Sequence, residues 1–118
     1  RVSTADELST ALTHSAGQAV IIDVDADWCV ACQPIEHEVL PREDVQDALR
    51  NIVRIKLDIT HYHPSQNDLL KEWQILGPPT MIMLDPSHQE QRELRLTGTF
   101  SASQLIARLA QLQAKEPQ

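Results

Sequence analysis

The sequence predicts an α/β domain in which a mixed central β-sheet is flanked by helices. Two observations carry this: Ala19 to Val24 is a near-continuous apolar run of strand length, and Ile52 to Ile59 alternates Ile, Val and Leu with Arg54, Lys56 and Asp58. Helical spacing and capping signals fill the segments around them, so the order reads α-β-α-β-α-β-β-α. At 118 residues, with no internal repeat or low-complexity tract, the chain makes one domain with one core.

Each element has its own signal. Thr4-Ala5-Asp6-Glu7 is a capping box, and Leu8, Ala11 and Leu12 follow at helical spacing, predicting a helix to about Ser15 that stops at Gly17. Ahead of it only Val2 is available to a strand. Ala19 to Val24 reads as a central strand covered on both faces, interrupted by Asp23. A carboxylate there is costly unless paired, protonated or used, and the alternative is that Asp23 sits at the wet end of the strand beside Asp25 and Asp27. From Val30 a helix is expected through Ile35, Val39 and Leu40, with Pro34 tolerated near its first turn. Pro41 breaks it and Glu43 to Arg50 resumes it.

Ile52 to Ile59 is a strand with one wetter face, on which Lys56 is either solvated or paired with Asp23. After the loop His61-Tyr62-His63-Pro64, the sequence Ser65-Gln66-Asn67-Asp68 resembles a capping box opening a helix through Leu69, Leu70 and Trp73. Gly77-Pro78-Pro79-Thr80 is a turn feeding the apolar strand Met81 to Leu84. Asp85 to His88 is a turn, Glu93 to Leu96 a short strand and Gly98 a turn position. Ser101 caps a last helix carrying Leu105, Ile106, Leu109 and Leu112, and residues 114 to 118 are expected to fray.

The chemistry is concentrated in Trp28-Cys29-Val30-Ala31-Cys32, which holds both cysteines of the chain. If Cys32 lies in the first turn of a helix, Cys29 is placed at its N-terminus, where free N–H groups and the dipole favour a thiolate. Cys29 is then the attacking sulfur and Cys32 the resolving one, and the pair reads as a thioredoxin-like redox signature working through mixed disulfides. A purely structural bridge is disfavoured because closing so short a loop removes little unfolded-state entropy. A Cys2His2 zinc site would have to recruit two of His37, His61 and His63. Cys29, Cys32 and Glu36 are spaced to share one stripe of a helix, although Glu36 alone reads as an ordinary exposed carboxylate.

Composition narrows the partners. A net charge of −7 with no Lys/Arg cluster argues against nucleic acid or an anionic membrane surface. No apolar stretch approaches the roughly 20 residues of a membrane span. The sequence starts at Arg1 rather than Met and carries no signal-peptide pattern, which suggests a processed chain or a domain excised from a larger membrane protein.

Asp23 to Cys32, reading Asp-Val-Asp-Ala-Asp-Trp-Cys-Val-Ala-Cys, with Glu36 and Gly77-Pro78-Pro79-Thr80, resembles the C-terminal thioredoxin-like domains of the bacterial DsbD thiol:disulfide interchange proteins. The similarity in order and spacing runs from Thr4 to about Leu109. Thioredoxins in general share the Trp-Cys and Pro-Thr parts but carry Gly-Pro between the cysteines, where this chain has Val30-Ala31. The resemblance implies the thioredoxin fold and a protein-disulfide reductase with no cofactor beyond the Cys29–Cys32 pair and no metal. It implies catalytic roles for Cys29, Cys32, Asp23 and Glu36, the two acids tuning the thiols. It also implies partner docking over Trp28, Val30, Ala31, Pro78 and Pro79, with a cis Pro78–Pro79 bond facing the cysteines; the residues alone leave a trans Pro-Pro turn open. Because Pro78 has no N–H, one backbone bond that the family's residue before the cis proline often gives a partner strand is lost.

The implied setting is the periplasmic face of a bacterial inner membrane, in cytochrome c biogenesis. Electrons would come from a membrane-embedded domain of the same polypeptide and leave to its N-terminal domain through transient mixed disulfides, the domain itself being a monomer. A free-standing periplasmic reductant and a non-catalytic docking module with this fold are the alternatives.

Overall fold

Strand β1 (Val20–Asp25) is buried along almost its whole length and is hydrogen-bonded on both edges, as its apolar run requires. The computed structural model describes residues 1–61 and 63–114. Its four-stranded sheet has the order β2-β1-β3-β4, with β2 (Val53–Asp58) parallel to β1, β3 (Thr80–Leu84) antiparallel to β1, and β4 (Leu96–Thr97) antiparallel to β3. Val2 extends the β2 edge, its N–H donating to Lys56 O at 2.8 Å and its carbonyl accepting from Asp58 N–H at 2.8 Å.

The two faces of β1 divide the core. Val20, Ile22 and Val24 pack with Ile82 and Leu84 under α1 (Ala5–His14) and α4 (Pro64–Glu72). Ile21 packs with Met81 and Met83 under α3 (Glu43–Ala48) and α5 (Ala102–Gln113), which contribute Val45, Leu105 and Leu109. Burying a large aliphatic side chain contributes about 1.5–3 kcal/mol, so these two clusters are the main favourable term in folding.

Several local expectations hold in detail. Thr4 caps α1 by accepting from Glu7 N–H at 3.1 Å, and the chain leaves α1 through Gly17 at φ +82°, a left-handed conformation that glycine adopts without Cβ strain. Ser101 and Gln104 cap α5 reciprocally, at 3.1 and 2.8 Å. Asp85 closes its turn by accepting from the N–H groups of Ser87 and Gln89 at 3.0 Å each.

Three expectations are corrected. The helix expected from Val30 begins at Cys32: α2 (Cys32–Pro34) passes into a wider π turn (Ile35–Val39), in which Leu40 N–H donates to Ile35 O at 2.9 Å. The wide turn stands just ahead of Pro41, whose ring would meet the carbonyl four residues back in a regular helix. Helix α4 is capped by His63, not Ser65: Gln66 Oε1 accepts from His63 N–H at 3.1 Å, and Pro64 takes the first helical position, where its missing N–H costs nothing. Residues 92–94 form a 3-10 turn and the strand is Leu96–Thr97, because Arg95 turns inward to bind carbonyl groups of the loop after α4. Ala114 is the C-cap of α5; the fraying expected at 115–118, and Tyr62 of the loop, lie outside the described residues.

Arg95 is a structural centre that the sequence does not announce. Its side chain is only 6% exposed. The guanidinium donates twice to Glu90, at 2.7 Å each, and to the carbonyls of Trp73 and Gln74 at 2.8 and 2.9 Å, tying β4 to the loop that follows α4. Arg95→Leu leaves the Glu90 carboxylate and two carbonyls without their donor, and is expected to destabilise the domain by about 3 kcal/mol in urea unfolding. Arg108→Leu, which removes a donor to the Glu93 carbonyl, is the milder control.

Candidate active site at the ends of three strands

Three chain ends converge on the cysteine segment. β1 leads from Asp25 directly into residues 26–32. Beside it, Ile59 N–H donates to Asp25 O at 2.9 Å as the chain leaves β2. On the other side Val24 is the register partner of Thr80, so β3 begins next to the end of β1 and brings the 77–79 turn there. The Pro78–Pro79 bond is cis, as the resemblance implies, and Pro79 is buried. Its carbonyl accepts from Gly98 N–H at 2.9 Å, and Thr80 Oγ1 donates to Gly77 O at 2.6 Å.

Cys29 and Cys32 are joined in a disulfide with Cα atoms 5.3 Å apart, and both are buried. Hydrogen bonds from Cys32 N–H to Cys29 O (3.2 Å) and Gln33 N–H to Val30 O (3.1 Å) wind the segment into α2. Cys29 therefore precedes the helix, and the continuous helical stripe expected for Cys29, Cys32 and Glu36 is not formed. Trp28 is held from the β2 side: its Nε1–H donates to Thr60 O at 2.8 Å, and Asp27 N–H donates to Thr60 Oγ1 at 2.9 Å. Thr60 Oγ1 in turn donates to Asp58, which pairs with Arg1 at 3.0 Å.

Among the described residues the large apolar side chains left exposed are Trp28 (53%), Val30 (83%) and Leu76 (93%), while Ala31 is half-buried. Two flank Cys29 and the third directly precedes the Gly77-Pro78-Pro79 turn. Leu76 was not singled out by the sequence reading. The available signal was an aliphatic residue placed immediately before Gly-Pro-Pro, outside the helical pattern of α4.

Asp23 is not at the wet end of the strand. It is 4% exposed, and its Oδ2 has no hydrogen-bond donor. The nearest cation, Arg54, stands 3.7 Å away, close enough for Coulomb attraction but beyond hydrogen-bond range. Burial pushes the Asp23 carboxyl up from its usual 3.8 to about 6; Arg54 opposes this, Asp25 and Glu36 add to it, and Lys56 opposes it.

Lys56 is neither solvated nor paired with Asp23, although the two are register partners. Its Nζ bridges Asp25 at 3.2 Å and Glu36 at 3.0 Å. Burial lowers its pKa, but the hydrogen bonds to Glu36 and Asp25 outweigh this and leave it above the ordinary lysine value. Glu36 is thus a half-buried, compensated carboxylate, and Asp23 is the under-compensated one.

Of the zinc candidates, both cysteines are bonded to each other and His37 bonds Gln33 at 2.9 Å. Among the described residues no group of three His, Cys, Asp or Glu is set to hold a metal ion.

The Asp23 environment has a measurable consequence. Between pH 3.8 and about 6 the folded chain retains a proton that the unfolded chain releases, so stability falls as pH rises through this window. Asp23→Asn removes the buried charge. It should be more stable than the parent at pH 7.5, by at most about 3 kcal/mol, with the difference vanishing near pH 4. Parallel denaturant melts at the two pH values measure it; equal stability at pH 7.5 contradicts the assignment.

Residues 6–113 match the profile of the thioredoxin-like domain family. The chain is 42% identical to the thiol:disulfide interchange protein DsbD of Klebsiella pneumoniae over 97% of its length, and 37% identical to DsbD 2 of Pseudomonas aeruginosa over 82%. It spans only 19% and 16% of those relatives. Among solved structures, the reduced C-terminal domain of Neisseria meningitidis DsbD superposes with a TM-score of 0.75 at 26% identity, covering 94% of this chain and 98% of that one. A Thermus thermophilus thioredoxin has the same fold, with a TM-score of 0.75 at 24% identity over 98% and 88% of the two chains. Among the described residues no helix is long and apolar enough to cross a membrane. With a cysteine pair closed at the strand ends of this fold, the chain belongs to the thioredoxin-like family, as a thiol:disulfide exchange domain of the DsbD C-terminal type.

Proposed function

We propose that the domain works as a reductase, one domain of a longer inner-membrane protein, facing the periplasm. It takes electrons from a membrane-embedded domain and hands them to the N-terminal domain of the same polypeptide. The observation that carries this reading is the Cys29–Cys32 disulfide set between Trp28 and the cis Pro78–Pro79 turn, in a chain whose 42%-identical relative is a DsbD.

The exchange balances as follows. In the reduced domain the Cys29 thiolate attacks one sulfur of a partner disulfide, forming the Cys29–partner bond and expelling the other partner sulfur as thiolate, which takes up a proton. Cys32, losing its proton, then attacks Cys29 Sγ; the intramolecular disulfide closes and the second partner thiol leaves. Two electrons and two protons have passed to the partner. Reduction of the domain by its donor is the reverse sequence.

Asp23 and Glu36 act on this chemistry through charge. Carboxylates near a thiol disfavour its ionisation, opposing the local N–H groups at the start of α2. Lys56 compensates Glu36, so Asp23 carries more of the effect. Reduced dithiol would then stay mostly protonated until a partner docks, which limits exchange with stray disulfides. Trp28, Val30, Ala31, Pro78 and Pro79 form the docking face, extended by Leu76.

Equilibration with glutathione buffers tests the direction. A reduction potential near that of thioredoxin, about −270 mV, fits an electron donor, whereas one near DsbA, about −120 mV, marks an oxidant and rejects the reductase reading. Cys32→Ser should accumulate the mixed disulfide with an isolated partner domain, because the resolving sulfur is gone; failure to trap while non-covalent binding persists favours the docking-module alternative. Asp23→Asn should raise the thiolate fraction of Cys29 at neutral pH, read by thiolate absorbance, and Glu36→Gln should do so less.

A further inference from the structure

We propose that the groove between α4, the loop that follows it, the start of β3 and the segment from Arg92 into β4 receives an acidic, partly apolar segment of the partner polypeptide beside its disulfide, with Lys71 and Arg92 meeting its carboxylates. This rests on the exchange reading above and specifies the substrate chemistry of that site.

The groove has a volume of about 710 Å3. Its apolar wall is Leu70, Ile75 and the exposed Leu76. Leu70 and Ile75 belong to the same packed cluster as Cys29 and Cys32, and Thr80, which also lines the groove, follows the cis proline directly. The groove begins at the residue after the cis proline, and the proposed partner segment continues from the docking face into it.

The charge of the groove is the reverse of the chain's. The sequence has 17 acidic and 10 basic residues, yet the lining carries Lys71, Arg92 and Arg95 and no carboxylate. Arg95 is spent on Glu90 and two backbone carbonyls. Elsewhere Arg1, Arg42, Arg50, Arg54 and Lys56 each have a carboxylate within 4 Å, and Arg108 donates to the Glu93 carbonyl. Lys71 and Arg92 have none among the described residues. Asp68 and Glu72, neighbours of Lys71 on α4, form no ion pair with it, and Arg92 donates only to the neutral Gln74 Oε1. Two uncompensated cations beside an apolar wall select a segment that carries carboxylates next to apolar side chains, and they favour its approach to an otherwise acidic domain.

The test uses two disulfide-linked peptides, identical except for Glu or Gln at the positions flanking the cysteine, mixed with the reduced domain at low ionic strength. The Glu peptide should be reduced roughly threefold to tenfold faster, the size expected of two exposed ion pairs. In Lys71→Gln/Arg92→Gln the ratio should fall to about one while the Gln peptide keeps its parental rate, and high salt should compress the parental ratio likewise. Equal rates with the parent, or a preference that survives in the double variant, overturn the proposal.

A second measurement separates it from the reductase reading. The Glu peptide with Ser in place of Cys is titrated into the oxidised domain, with saturable amide NMR shifts expected at Lys71 and Arg92. If those shifts appear while neither disulfide peptide is reduced, the exchange reading fails and the groove stands. If both peptides are reduced equally and no shifts appear, the exchange reading stands and the groove fails.

Discussion

The double pairing of β1 is the constraint on which the rest depends. A strand hydrogen-bonded on both edges and covered on both faces opens almost nothing to solvent along its length, so a reactive group that partners must reach belongs at its end. Parallel pairing with β2 and antiparallel pairing with β3 bring the end of one neighbour and the start of the other to that same place. Trp28 anchored to Thr60 on one side, and the cis Pro78–Pro79 turn on the other, are direct products of this arrangement. The cysteines lie between a side chain held by β2 and a turn held by β3.

Below that end the sheet carries a charged stripe on one face: Asp23 and Asp25 from β1, Arg54 and Lys56 from β2, with Glu36 reaching across from the π turn. The groups are unequally matched. Lys56 satisfies two carboxylates at hydrogen-bond distance, while Arg54 stands too far from Asp23 to replace the water it has lost. Desolvation wins over attraction, and the carboxyl titrates near pH 6. A buried carboxyl with a raised pKa costs stability at neutral pH, and such groups cluster at functional sites, which supports the proposed role of Asp23.

The surface above is divided in the same way. Apolar side chains are exposed at the cysteine segment and at Leu76, and Lys71 and Arg92 line the groove beside Leu76. Pro78 has no N–H to offer a partner strand, so the proposed docking relies more on these side chains than on backbone pairing.

Much of the fold and the reactive pair was legible in the sequence because both depend on local patterns. The apolar run of β1, the alternation of β2, the Thr4 and Ser101 caps and the Cys-x-x-Cys spacing each name their element without reference to distant residues. Even the cis proline turn was indicated, by resemblance rather than by propensity. What was misread depends on contacts across the chain. His63 could replace Ser65 as a cap because Gln66 donates to Ser3 O and Asp58 O and so sets the helix start. The strand after residue 93 shifted because Arg95 is drawn into carbonyls some 20 residues away. Lys56 was assigned to solvent or to Asp23, since register suggests the opposite residue, yet its long side chain reaches past Asp23 to two better acceptors. Which carboxylate is compensated and which is not depends on how deeply each is buried and on which cation reaches it, among side chains brought together from β1, β2 and the π turn. Only the tertiary structure sets that burial and those distances.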